Sequence, residues 1–177
     1  MKIVRNILII SAGLLLLLFI IGLFLPSEYK IERQITINSV PDSIIPFIMN
    51  LSNWEKWSYI STKKDSTLKL TFKDSKFGSN SQLFWKSDYM GTGKVIINDY
   101  KTNERIGYDM IFGEDDHKIN GLFLFKASNN QTKVTWMDYG ELGFNPVARI
   151  FGLFLDGFIG KDLELSLSNL KKTVETK

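Results

Sequence analysis

Hydrophobic and polar positions divide the chain into three regimes. From Ile7 to Leu25, nineteen residues run without a charge (ILIISAGLLLLLFIIGLFL). At about 1.5 Å per residue, a helix of that length covers roughly 28 Å, the thickness of a bilayer's hydrocarbon. Pro26 stops it. No polar stripe marks a solvent face, which argues against a buried core helix. A cleaved signal peptide has a shorter apolar region followed by small residues; GLFLPSEY has no such pattern. The expectation is an uncleaved transmembrane signal anchor over residues 1–27. Lys2 and Arg5 lie close before the run, and Lys30 and Arg33 follow it. The positive-inside tendency then gives a cytoplasmic N-terminus and an extracytoplasmic domain, residues 28–177.

The second regime is extended. Glu28 to Ile37 (EYKIERQITI) alternates and is rich in β-branched residues, so it reads as a strand. Asn38 and Ser39 break it. Pro41, Asp42 and Ser43 open a helix, with Asp42 or Ser43 as its cap and Ile44, Ile45, Phe47 and Ile48 as its apolar side. Asn53 caps a second short helix with Trp54 and Trp57 on one face. From Thr67 to Glu141 the period is two. Leu68, Leu70 and Phe72 form one stripe, Leu83 and Trp85 the next, then Val95 and Ile97. Ile106, Tyr108, Met110 and Phe112 form the clearest, followed by Gly121, Phe123 and Phe125, and by Val134 and Trp136. Short polar breaks separate them, so the strands form an antiparallel meander and not βαβ units.

The third regime is helical. Asn145 caps and Pro146 occupies the first turn. Apolar residues from Val147 to Val174 keep a 3–4 spacing over about thirty residues. The first half of this segment is apolar nearly all round, and the second half is amphipathic. Gly152, Gly157 and Gly160 interrupt it, permitting a bend or a close approach to the sheet.

Composition narrows the function. The chain has 177 residues, a net charge of +3 and no cysteine. Two of those charges are Lys2 and Arg5, leaving residues 28–177 near +1, a poor match to a nucleic-acid backbone. The missing cysteines exclude disulfides, thiolate catalysis and Cys-ligated metals. Glu114, Asp115, Asp116 and His117 are consecutive, read better as a solvated turn than as a metal site. With one histidine and no G-x-S-x-G elbow, a hydrolase triad is not expected, and no nucleotide-cradling glycine motif occurs. No cofactor is expected either.

Trp57, Trp85, Tyr108, Phe112, Phe123, Trp136, Phe154 and Phe158 fall on faces expected to look inward. They are core, or some of them border an apolar cavity. Asp138 continues the stripe of Val134 and Trp136. Pointing inward, it would be a carboxylate with a raised pKa, suited to acid–base work; the other reading is a strand end in water.

The order of elements carries a resemblance. ERQITINSVPDSIIPFIMNLSNWEKWSYI, NERIGYDMIF, QTKVTWMDYGEL and GKDLELSLSNLKK look like the opening, later strands and closing helix of the START-like (SRPBCC) superfamily, within it the polyketide cyclase/dehydrase-type proteins. The resemblance covers about residues 28–175. It implies an α+β helix-grip fold, in which a curved antiparallel sheet of about seven strands wraps a long C-terminal helix around a cavity for an apolar ligand. Three functions follow as expectations. The first is a membrane-anchored module that binds a lipid-like or other apolar small molecule. The others are a cyclase- or dehydratase-like enzyme on an apolar substrate, and an interaction domain with a filled cavity. The bilayer and an apolar ligand are the expected partners, nucleic acid is not, and the sequence leaves protein partners open.

Overall fold

The computed structural model describes residues 2–73, 78–113 and 117–176, with the backbone alone at His117. The acidic run Glu114–Asp116 and the His117 side chain, read above as a turn, lie outside the described residues. The first element, α1 (Lys2–Phe24), is long and apolar enough to cross a membrane. At about 1.5 Å per residue its 23 residues extend roughly 35 Å. Gly22 is its one buried residue.

After β1 (Glu28–Ile37) come α2 (Pro41–Met49), a 3-10 turn (Leu51–Asn53) and α3 (Trp54–Trp57). Both helix caps differ from expectation. α2 opens directly at Pro41, with Val40 as the cap residue and no side-chain bond from Asp42 or Ser43. Proline at the first helical position already has the right φ and no N–H to satisfy. Asn53 makes no cap bond for α3; instead Asn50 accepts from the Ser52 amide and caps the 3-10 turn before it. The indole N–H groups of Trp54 and Trp57 donate to the carbonyls of Ile48 at 2.7 Å and Phe47 at 3.0 Å. Carbonyls in the last turn of a helix lack an intrahelical partner. The tryptophans supply it, and this locks α3 against α2.

Six strands follow: β2 (Lys69–Lys73), β3 (Gln82–Ser87), β4 (Gly91–Lys101), β5 (Arg105–Phe112), β6 (His117–Ser128) and β7 (Gln131–Glu141). They pair in sequence, and β1 closes on β7, giving a seven-stranded antiparallel sheet in the order β1-β7-β6-β5-β4-β3-β2. Asn129 and Asn130 make the two-residue turn between β6 and β7, both at positive φ, as this tight hairpin connection requires.

The C-terminal segment is two helices, α4 (Pro146–Gly152) and α5 (Leu155–Glu175), where one continuous helix was expected. Asn145 caps α4 as predicted, accepting from the amides of Val147 and Ala148. The helix then tightens at its end: the Leu153 amide bonds to the Ile150 carbonyl and the Phe154 amide to that of Phe151. Gly152 lies at this break with its backbone close against Leu142, where a Cβ would lie 2.4 Å from a side-chain methyl. α5 lies across the sheet and buries Leu163, Leu167, Leu170 and Val174. Arg33 on β1 grips its first turn through a two-bond pair with Asp156 at 2.8 and 3.0 Å. At its far end Lys171 bonds to the Thr36 carbonyl and Glu175 to the Asn38 amide.

Candidate functional site

Between α5 and the sheet, the deepest space is filled by rings. Trp54, Trp57, Tyr108, Phe123 and Trp136 are buried. Their centroids lie 4.7 Å apart for Phe123–Trp136 and 5.3 Å for Trp54–Trp57, in tilted and edge-to-face arrangements that favour aromatic packing. Two glycines make room for large rings, Gly121 for Tyr108 and Gly93 for Trp85. In the sheet register Tyr108, Gly121 and Asp138 lie in one row across β5, β6 and β7. With no side chain at Gly121, the Tyr108 ring crosses that strand; a Cβ there would stand 1.9 Å from its Cζ. Trp85 lies over Gly93 in the same way, with its ring 5.2 Å from that of Phe112.

Crossing the gap brings the Tyr108 hydroxyl to Asp138, to which it donates at 2.5 Å. The Trp136 indole N–H donates to the same tyrosine oxygen at 2.8 Å. Asp138 is 1% exposed. Burial pushes its carboxyl up to about 6, against a partial pull downward by the Tyr108 and Trp136 donors. Burial, reinforced by the Asp138 charge, also pushes the hydroxyls of Tyr108 and Tyr59 well above the ordinary phenol value. The result is a chain of donors, Trp136 to Tyr108 to Asp138, ending on a carboxylate that titrates near neutrality.

Asp138 also lines a cavity of about 240 Å³, together with Tyr59, Lys64, Asp65, Tyr89, Met90, Phe112, Ile119, Ile159 and Asp162. Its rim is charged. Lys64 pairs with Asp162 at 2.5 Å, tying the segment after α3 to α5. Asp65 accepts from the hydroxyls of Ser87 and Thr67, which hold its carboxyl below the ordinary value. Deeper in, the Tyr59 hydroxyl meets the Met110 sulfur at 3.2 Å. A more open groove of about 470 Å³ adjoins the cavity and shares Phe112, Ile119 and Ile159 with it. Its other walls include Tyr29, Leu142, Ala148, Phe151 and Leu155, so it runs toward α4. A larger hollow of about 630 Å³, lined by Pro26, Tyr29 and Tyr139, is an open notch at the join of α1 and β1.

The residues picked from the sequence therefore separate into three groups. Phe112 lines the cavity. Trp57, Trp85, Tyr108, Phe123 and Trp136 look inward but form the packed core beside it. Phe154 and Phe158 face outward instead, at 58% and 66% exposure. They come from the stretch that is apolar all round, where spacing does not say which side is buried. Asp138 points inward, as the period of Val134 and Trp136 would place it. Tyr59, Met90 and Ile119 were not anticipated. The first two lie in connections with no period to mark a face. Among the described residues no cluster of carboxylates and histidine has metal-binding geometry.

Comparisons with known proteins place the architecture. Neither a protein-family model nor a curated protein sequence matches the chain. Solved structures do. A protein from Staphylococcus epidermidis is 12% identical and superposes with a TM-score of 0.59, over 86% of this chain and 94% of that one. Ara h 8.0201 is 9% identical with a TM-score of 0.55, over 85% of this chain and 99% of that one. BexL, a di-domain ARO/CYC protein from the BE-7585A biosynthetic pathway, is 14% identical with a TM-score of 0.58. The match covers 82% of this chain and 46% of BexL. The chain thus shares the helix-grip fold of these solved structures, and carries an apolar helix at its N-terminus.

Proposed function

We propose that the protein is a membrane-anchored binding module that holds a lipid-like or other apolar small molecule between α5 and the sheet. The cavity ending on Asp138 carries this reading. Its walls Met90, Phe112, Ile119 and Ile159 would take an apolar body, and the Asp138 carboxylate would accept a hydrogen bond from a polar end. Ligand pockets usually hold about 300–1,000 Å³. The cavity alone is smaller than that, at about 240 Å³, because the aromatic core fills the space above it. A ligand longer than a few carbons would extend into the groove. α1 supports the anchoring half of the proposal: it has the length and composition of a membrane span.

The test uses full-length protein in mild detergent. Native mass spectrometry should show bound apolar molecules, and a fluorescent apolar probe should bind and be displaced by fatty acids or alcohols. Ile159→Trp would fill the space where cavity and groove meet, and should weaken probe binding about tenfold or more. An empty cavity with no probe binding would overturn the proposal, and leave an interaction domain whose interior is filled by its own side chains.

One observation favours a second reading. A carboxyl held at about 6 and bonded to a buried tyrosine is a competent proton donor and acceptor at neutral pH. A cyclase- or dehydratase-like enzyme acting on an apolar substrate would use that pair, and differs from a carrier in requiring the Asp138 carboxyl itself.

A further inference from the structure

Outside α1, six of the twelve large apolar side chains left open to solvent among the described residues lie within the fifteen residues 144–158. Phe144, Val147, Phe151, Leu153, Phe154 and Phe158 are all exposed, Phe144 to 92%. Phe151 and Phe158 meet across the break between α4 and α5, their rings stacked with centroids 6.4 Å apart and planes inclined by 12°. Single exposed apolar residues are ordinary, but a contiguous patch of this kind marks a contact.

The position of the patch names what it contacts. α4 packs on the last turn of α1, so tightly that a Cβ at Gly22 would lie 2.5 Å from the Pro146 carbonyl oxygen. The Arg149 guanidinium donates to the carbonyls of Leu23 at 3.0 Å, Leu25 at 3.2 Å and Gly143 at 2.8 Å. It thereby takes up carbonyls that the end of a helix leaves unpartnered. Two charged groups nearby are paired within the fold: Arg149 with the end of α1, and Asp156, itself 63% exposed, with Arg33. The apolar face is thus held at the level where α1 ends, which for a spanning helix is the edge of the hydrocarbon. The groove wall formed by Ala148, Phe151 and Leu155 belongs to the same elements.

We propose that residues 144–158 form a second membrane contact. This apolar wedge lies among the headgroups and upper acyl chains, at the depth of roughly 5–10 Å reached by interfacial helices. It turns the mouth of the groove toward lipid, so that an apolar ligand passes between bilayer and cavity without crossing water. The proposal rests on α1 spanning the membrane.

Because the chain has no cysteine, a single introduced cysteine reports one site. Full-length protein carrying Leu16→Cys, Phe154→Cys, Phe158→Cys or Lys126→Cys, labelled with an environment-sensitive fluorophore, is placed in phosphatidylcholine vesicles with and without lipids brominated on their acyl chains. Quenching by bromine is expected at 16, 154 and 158, and none at Lys126, which lies toward the far end of β6. Phe154 and Phe158 are both more than half exposed, so either replacement leaves the core intact and the second serves if the first misfolds. Quenching at 16 with none at 154 and 158 overturns the second contact while the anchor stands. No quenching at 16 overturns the anchor and this proposal with it. A label at 154 that is shielded from lipid, with the unlabelled Phe154→Cys protein forming a disulfide-linked dimer, assigns the face to a second copy, which also overturns the proposal. Probe binding in detergent does not need the wedge, so failure of the contact and failure of ligand binding are separate results.

Discussion

A carboxyl group that is 1% exposed, and bonded to a tyrosine hydroxyl at 2.5 Å, weakens its protein when it ionises. The raised value of about 6 for Asp138 sets the sign. The folded chain holds this proton more tightly than the unfolded chain does. Its contribution is therefore full below the ordinary carboxylate value near 4, and is lost as the pH rises through about 6. A shift of about two units corresponds to roughly 3 kcal/mol. Asp138→Asn keeps an acceptor for Tyr108 and cannot titrate. Its melting temperature relative to the parent should therefore climb between about pH 4 and pH 7 and then level off; a difference that stays flat across that window would contradict the buried-charge account. The same variant separates the two functional readings: it should keep probe binding, and would lose turnover only if the protein is an enzyme. The period with Val134 and Trp136 allowed an inward Asp138, but the sequence favoured a strand end in water, because nothing in it shows how far β7 runs under the neighbouring elements. The role of Gly121 was not legible. A glycine in a strand signals close approach by something, and only the register across three strands shows that it is Tyr108.

At the scale of elements, α5 is held by an apolar seam and by polar ties at both ends. Leu163, Leu167 and Leu170 are buried, and Gly160 lets the helix settle against Arg33, where a Cβ would come within 2.1 Å of the guanidinium. Leu167→Ala should cost about 2–5 kcal/mol, read as a lower denaturant midpoint with little change in slope. A loss under about 1 kcal/mol would mean that the sheet holds together without the helix. Element type was readable along most of the chain, because period two and period 3.6 are each sustained there and the capping residue Asn145 stands where it acts. The break at Leu153–Phe154 escaped, because a segment apolar on every side has no phase to lose. The caps of α2 and α3 escaped for a different reason. Several cap-competent residues stand side by side at each start, and backbone geometry chooses among them.

The whole molecule joins an apolar rod to a gripped sheet, and the order of elements was enough to anticipate that plan. What it could not convey was how full the interior is. Five aromatic side chains from α3, β5, β6 and β7 meet only in three dimensions, and they leave the cavity to one side. For a spanning α1, the side on which the domain lies is a separate matter, resting on Lys2 and Arg5 before the apolar run. If the domain is extracytoplasmic, protease added to intact spheroplasts of an expressing bacterium should degrade it. Protection until the membrane is broken would reverse the orientation.

The bonds from Arg149 to the end of α1 bear on how the protein could respond to its surroundings. A flexible leash would isolate the domain from the lie of α1, but here guanidinium and proline fasten the two together within a few residues. A spanning helix leans over when its apolar length exceeds the local hydrocarbon thickness. If α1 spans a bilayer, as proposed, such a lean would rotate the sheet, cavity and groove as one lever. A thinner or thicker bilayer would then change how steeply the groove's mouth meets the lipid, with no change in the domain's own conformation.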